Sequence, residues 1–127
     1  MSMTLYAATK NDLLKQVSPI KPFDDFSMNM GAGSLYGILR DFWIDFDPEE
    51  YAFTCGIDLF IESGKAWKNR TGVARVDEDV QLVKAFIERG GGFVASSDPT
   101  IINYRHNRAL ELAIRGKEAG ATHMAGA

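Results

Sequence analysis

The hydrophobic side chains of this chain recur mainly at intervals of three and four residues. This spacing is clearest in three segments, residues 35–46, 77–89 and 100–115. It is typical of helices that bury one face. Ser34, Asp77 and Asp98 stand at the starts of these segments, where short polar side chains cap helices. The pattern predicts a mostly α-helical fold, a compact bundle of four to five helices with room for a minor β element.

Residues 41–61 fit two interpretations. Asp47 and Pro48 suit the start of a helix, which would run from Tyr51 to Trp67. Apolar and polar residues also alternate here, and alternation is typical of a half-buried strand. The helix is favoured because helical spacing already begins at residue 35. The alternative is an α+β fold with strands near 41–47 and 51–61.

The N-terminal third is predicted to contain an extended segment, a short helix and a loop. Residues 1–7 are expected to be extended, and residues 9–12 resemble a capping box that starts a short helix, which Ser18 and Pro19 end. Residues 19–34 are rich in Pro, Asp, Ser, Asn and Gly, so a loop is predicted. Its apolar side chains are expected to pack over the core, or to form an exposed patch for a partner.

The C-terminal part of the chain reads as a helix followed by a tail. The helix begins at Asp98 and ends near Gly116, because glycine is favoured just past a helix end. Residues 117–127 are rich in Gly and Ala and are expected to form a flexible tail. Residues 1–116 would then be a single globular domain.

Composition supports a globular protein and limits the classes of function. The chain has 127 residues, of which 46% are hydrophobic, enough to bury a core without metals or disulfides. Its formal charge is only −3. Residues 1–63 carry 4 basic and 10 acidic groups, whereas residues 64–127 carry 10 basic and 7 acidic groups. The two halves are expected to attract each other within one fold, or to present surfaces with different partners.

The single cysteine and the absence of long apolar runs indicate where the protein resides. Cys55 has no second cysteine to pair with, which favours a reducing compartment, and its apolar neighbours suggest a buried structural thiol. No run of about 18 apolar residues exists, so no membrane span is predicted. The first ten residues lack a signal-peptide pattern. The prediction is a cytoplasmic protein.

The final helix carries the most concentrated candidate chemistry. Its candidate binding residues are Tyr104, Arg105, His106, Arg108 and Arg115. Arg105 falls inside the apolar arc, where an arginine needs a partner or must reach out to solvent. Asp41, Asp45 and Asp58 are the expected partners, and an anion-binding role is the alternative. His106 lies at the edge of that arc with no acid three or four residues away, which indicates a core-edge histidine.

The sequence contains no nucleophile–base pair, metal-ligand spacing or phosphate-binding loop. No catalytic residue, metal ligand or cofactor is therefore assigned. The first hypothesis is a non-enzymatic protein that acts through contacts with a protein partner or with itself. Its interface would be formed by aromatic and methionine side chains, namely Phe23, Phe26, Met28, Met30 and Trp43, because such residues suit interface cores.

Two other functions stay open at this stage. One is a nucleic-acid-associated accessory protein that uses the basic final helix, with weak and non-specific binding because the pI is near 5.3 and the free arginines are few. The other is an enzyme with a site assembled from distant residues around Arg105 and His106. A deep polar pocket that contains Arg105, His106 and an acid would favour the enzyme.

Overall fold

The computed structural model describes residues 2–11, 13, 16–47, 49, 52–71 and 99–127, and the side chains of the last range from residue 103. In these ranges, three α-helices pack on a five-stranded antiparallel sheet. The elements are β1 (Ser2–Asn11), β2 (Gln16–Pro19), a 3₁₀ turn (Phe23–Phe26), β3 (Ser27–Gly31), α1 (Ala32–Asp41), β4 (Phe53–Gly56), α2 (Ile57–Thr71), α3 (Pro99–Glu118) and β5 (His123–Gly126).

Strand β1 organises the sheet because it pairs along both of its edges. On one edge its two ends pair with β2 and β3, and on the other edge it pairs with β5. Strand β5 in turn pairs with β4, so β5 lies inside the sheet. Met3, Leu5 and Ala7 are buried at every second position of β1, which is the period of a strand with one face on the core.

The predicted helical bundle is wrong, and the α+β alternative has the correct class. Of the two strands proposed for that alternative, the structure contains one at Phe53–Gly56, and none in the described residues of 41–47. The alternation from Tyr51 to Ile61 changes to helical spacing at Ile57, where α2 begins. The helix predicted from Tyr51 therefore starts six residues too early. Helix α2 continues to Thr71, past the predicted end at Trp67.

The N-terminal predictions are partly wrong. The short helix predicted after residues 9–12 does not form at the described positions, because β1 continues to Asn11 and β2 starts at Gln16. Leu13 is 93% exposed and packs on no core. The loop predicted for residues 19–34 contains β3 and the first residues of α1. Most of its apolar side chains do pack on the core, as the first of the two expectations for this segment stated, namely Ile20, Phe26, Met28 and Met30.

Helix α1 starts earlier and ends earlier than the sequence indicated. Gly31 is its N-cap in place of Ser34, which lies inside the first turn. At the other end, the Trp43 N–H donates to the carbonyl of Arg40 at 3.0 Å and the Ile44 N–H donates to that of Leu39 at 2.9 Å. This is a Schellman motif, and Trp43 occupies its left-handed position with φ 58°. Glycine is normal there, and a bulky residue is strained by about 1–3 kcal/mol.

The final helix is confirmed, but it does not end at Gly116. It runs to Glu118, and Gly120 adopts the left-handed conformation with φ 101°. The Gly120 N–H donates to the carbonyl of Lys117 at 3.0 Å, and the Ala121 N–H donates to that of Gly116 at 2.8 Å. Gly116 is instead buried where α3 crosses β1, because an added Cβ would lie 2.6 Å from the Ala7 Cβ.

The flexible tail predicted for residues 117–127 is also wrong. Its first residues complete α3, and residues 123–126 form β5. Met124 and Ala125 are buried, and they are held in place because β5 is bonded along both edges. The predicted helix over 77–89 and the Asp98 cap lie outside the described residues. No helix in the described ranges has both the length and the apolar character needed to cross a membrane.

Candidate functional site

A pocket of about 310 Å³ lies between α1 and α3. It is lined by Gly31, Gly33, Ser34, Gly37, Arg40, Asp41, Arg105 and His106. The first six come from the end of β3 and from α1, and the last two come from α3. Three of the eight are glycines, and added Cβ atoms at Gly31 and Gly33 would meet no atom within 4 Å. The backbone at the start of α1 is therefore reachable from the pocket.

Arg105 closes one end of this pocket by binding Ser34. Its Nη1 donates to the Ser34 Oγ at 3.1 Å. Half-burial of Arg105 is confirmed, but its partner is a hydroxyl and not one of the three predicted carboxylates. Asp58 is bound by Lys117, 2.5 Å away, and that hydrogen bond raises the pKa of Lys117. The guanidinium of Arg105 thus has no carboxylate partner among the described residues.

The acid nearest to His106 comes from another helix. The His106 Nε2–H donates to the Asp41 Oδ2 at 2.7 Å. His106 is only 3% exposed, and its ring centroid lies 4.9 Å from that of Trp67 and 5.6 Å from that of Phe42. Burial of this histidine at the core edge was predicted. The Asp41 partner was missed because it lies 65 positions earlier.

The hydrogen bond to Asp41 fixes which nitrogen of His106 carries the proton. A carboxylate only accepts, so Nε2 is the protonated nitrogen and Nδ1 of the neutral ring bears the free lone pair. Nδ1 is buried and has no hydrogen-bond partner in the described part of the chain. A buried polar atom without a partner is costly. Because His106 also lines the pocket, its imidazole is a candidate for binding or proton transfer.

The other candidate binding residues of α3 lie away from the pocket. The Arg108 Nη1 lies 3.7 Å from the Glu111 Oε2, and Tyr104 and Arg115 are half-buried. On α2, the Lys65 Nζ lies 3.9 Å from the Glu62 Oε1. Several cations are thus paired locally with acids, and the five predicted binding residues divide into two in the pocket and three outside it.

The five predicted interface residues do not form one exposed patch. Met30 is buried, and Phe26 and Met28 pack partly against the core. The Phe23 ring lies 5.9 Å from that of Tyr6. Trp43 alone is largely exposed, at 74%, and the guanidinium of Arg70 stacks on its ring with Cζ 3.6 Å from the ring centroid. Self-association through this region stays a prediction. Most of the apolar side chains named for it already make contacts within the monomer.

Cys55 is half-buried on β4. Burial raises the pKa of its thiol to about 12, and the thiolate is the reactive form of cysteine. At neutral pH, Cys55 therefore stays protonated, as expected for a structural thiol. Its environment does not support a nucleophilic role.

We expect the Cys55 thiol to react slowly with an aromatic disulfide reagent at pH 8 in the folded protein. Unfolding in denaturant should return the pKa of the thiol to its ordinary value of about 8.5 and raise the rate of its reaction by at least tenfold. Absorbance of the released thiolate measures both rates. A folded-state rate equal to that of the denatured protein would show that Cys55 is an accessible, activated thiol.

The pocket combines two kinds of chemistry at a defined separation. Ser34 and Asp41 are seven residues apart on α1, which is about 10 Å along a helix axis. The Ser34 end offers a cation and backbone N–H groups, and the Asp41 end offers an oriented imidazole.

Comparison of the chain with protein families, with curated proteins and with solved structures gave no match.

Proposed function

We propose that the protein binds a small anionic molecule, a phosphate ester or a carboxylate, in the pocket between α1 and α3. We further propose that the Asp41–His106 pair transfers a proton to or from that molecule. The observation that carries the proposal is the meeting of Arg105, His106 and Asp41 in one pocket. These are the residue types that the enzyme hypothesis required.

The Ser34 end of the pocket suits an anion for three reasons. Arg105 supplies a charge and donors that match carboxylate and phosphate oxygens. The first turn of α1, which the structure describes completely, contains no acidic residue, and its free N–H groups and helix dipole favour negative charge. There is also space beside Gly31 and Gly33, where an added Cβ would meet no atom within 4 Å.

The Asp41 end suits proton transfer. A carboxylate that accepts from one imidazole nitrogen orients the ring and stabilises the imidazolium, which lets the ring act as a proton donor or acceptor. Trp67 and Phe42 cover the ring of His106, so its position is fixed by packing. The charges of Arg40 and Arg105 exceed that of Asp41 by one, which leaves the pocket cationic overall.

The size of the pocket limits the ligand. At about 310 Å³, it is at the lower end of the range of roughly 300–1,000 Å³ for small-molecule sites. A nucleic acid would instead need basic side chains spread over an open surface. Because Arg105 lines the pocket and Arg108 lies beside Glu111, the structure favours a small anion over the nucleic-acid alternative.

We expect calorimetric titration with inorganic phosphate, phenyl phosphate and acetate to detect binding of at least one of them. Arg105→Ala should weaken that binding by about 10- to 100-fold, because a hydrogen bond to a charged group contributes about 1.5–3 kcal/mol. Arg108→Ala is the matched control, since it removes a cation from the same helix outside the pocket. No binding at millimolar anion, or equal weakening by both variants, would contradict the proposal.

The same titration in two buffers of different ionisation enthalpy measures proton uptake. A bound anion favours the imidazolium over the neutral ring, so binding to the natural sequence should take up a proton. His106→Gln should abolish the uptake and retain measurable anion binding. Equal uptake in both proteins would show that another group changes its protonation.

A further inference from the structure

We infer that Arg70 and Trp43 are positioning residues, which hold Asp41 where it can accept the hydrogen bond of His106. This inference rests on the proposed function for its purpose, although the geometry itself needs no ligand. Arg70 lies in the last turn of α2 and Trp43 lies just past the end of α1. The two residues together join the ends of both helices.

The contact begins at the backbone of Asp41. Asp41 is the last residue of α1, so its carbonyl is one of those that have no partner within the helix. The Arg70 Nη2 donates to this carbonyl at 2.5 Å. A cation at the end of a helix also complements the dipole. Arg70 therefore fixes the residue whose carboxylate binds His106.

Trp43 fixes Arg70 in turn. The Arg70 Cζ lies 3.6 Å from the centroid of the Trp43 ring, which is a close cation–π contact. This contact accounts for an otherwise unfavourable residue choice, since Trp43 has φ 58° at a position where glycine is normal. Strained residues of this kind persist where the side chain has a role. Here the role of the Trp43 ring is to hold the guanidinium of Arg70 in place by stacking on it.

Helix α2 contacts both members of the Asp41–His106 pair. Trp67 packs on the His106 ring, and Arg70, three residues later, binds the backbone of Asp41. The C-terminal part of α2 thus contacts the imidazole directly and contacts the backbone of the residue that carries the carboxylate. A helix cap with no further purpose would stabilise α1 but would not alter the hydrogen bond between Asp41 and His106.

Proton NMR of the His106 Nε2–H tests the inference. A buried ring proton that is donated to a carboxylate should give a separate, slowly exchanging downfield signal, and Asp41→Asn identifies it by its loss. We expect the signal in the natural sequence and in the control Lys65→Ala, which removes a cation of α2 that faces Glu62. Arg70→Ala and Trp43→Gly should each broaden or abolish it.

Trp43→Gly separates positioning from folding. Glycine suits the left-handed conformation, so this variant should melt no lower than the natural protein while it loses the signal. A signal that persists unchanged in Trp43→Gly and Arg70→Ala would overturn the inference and leave Arg70 as a helix cap. Phosphate titration of the same samples distinguishes the two proposals, because absent phosphate binding with a signal that depends on Arg70 would sink the proposed function alone.

Discussion

A chain truncated after Gly120 should not fold. The truncation removes β5, which lies between β1 and β4 and is hydrogen-bonded along both edges. Without it, β4 has no partner among the described strands and β1 has one open edge. We expect far-UV circular dichroism without a cooperative thermal transition.

The expected loss is comparable to the whole stability of an ordinary domain. Truncation of a single buried Met to Ala costs about 2–5 kcal/mol, and β5 contains the fully buried Met124 together with Ala125. Its loss also leaves buried backbone groups of β1 and β4 unpaired, at about 1–3 kcal/mol each. These losses together are comparable to the 5–15 kcal/mol that stabilises a typical domain.

Removal of Ala127 alone is the control for this truncation. Ala127 exchanges two backbone hydrogen bonds with Thr4, at 2.8 and 3.1 Å, and it is exposed. Its deletion should lower the melting temperature by a few degrees and leave a cooperative transition. A cooperative transition in the chain that ends at Gly120 would show that the sheet folds without β5.

Strand β5 also shows why local sequence signals predicted the wrong fold class. His-Met-Ala-Gly has few of the β-branched or aromatic residues that mark strands. It is a strand because β1 and β4, more than 65 residues earlier, supply partners on both sides. The final helix was predictable because capping, apolar spacing and a glycine stop are local features. The end of the helix was misplaced because Gly116 packs against β1, whereas Gly120 is the glycine that ends the helix.

The candidate site follows the same division between local and distant information. The position of Arg105 inside an apolar arc predicted partial burial, because that arc is a property of one helix. Its partner, and the acid beside His106, come from α1. An acidic partner of His106 on the same helix could be predicted from its spacing of three or four residues. Asp41 lies on another helix, so it is recognised as the partner only when α1 and α3 are packed together. The sequence thus supplied both α3 residues of the pocket and left their partners open.

Gly116→Ala should destabilise the protein although alanine is the better helix former. An added Cβ would lie 2.6 Å from the Ala7 Cβ, far inside van der Waals contact. Neither atom belongs to a side chain that can rotate away, so α3 must move off the sheet. Overpacking of this kind costs about 1–3 kcal/mol, which at this chain length lowers the melting temperature by roughly 4 °C per kcal/mol.

Two further glycines give graded controls for that expectation. At Gly64, the nearest atom to an added Cβ is the Leu110 Cδ1 at 2.8 Å, the end of a flexible side chain that can shift, so Gly64→Ala should cost less. At Gly37, the nearest atom is the Arg40 Nη2 at 3.9 Å, so Gly37→Ala should stabilise α1 by about 0.5–1 kcal/mol. Melting temperatures should fall in the order Gly37→Ala, natural sequence, Gly64→Ala, Gly116→Ala. If Gly116→Ala melted above the natural protein, the close packing of α3 on β1 would be refuted, because only an open site lets the helix preference of alanine prevail.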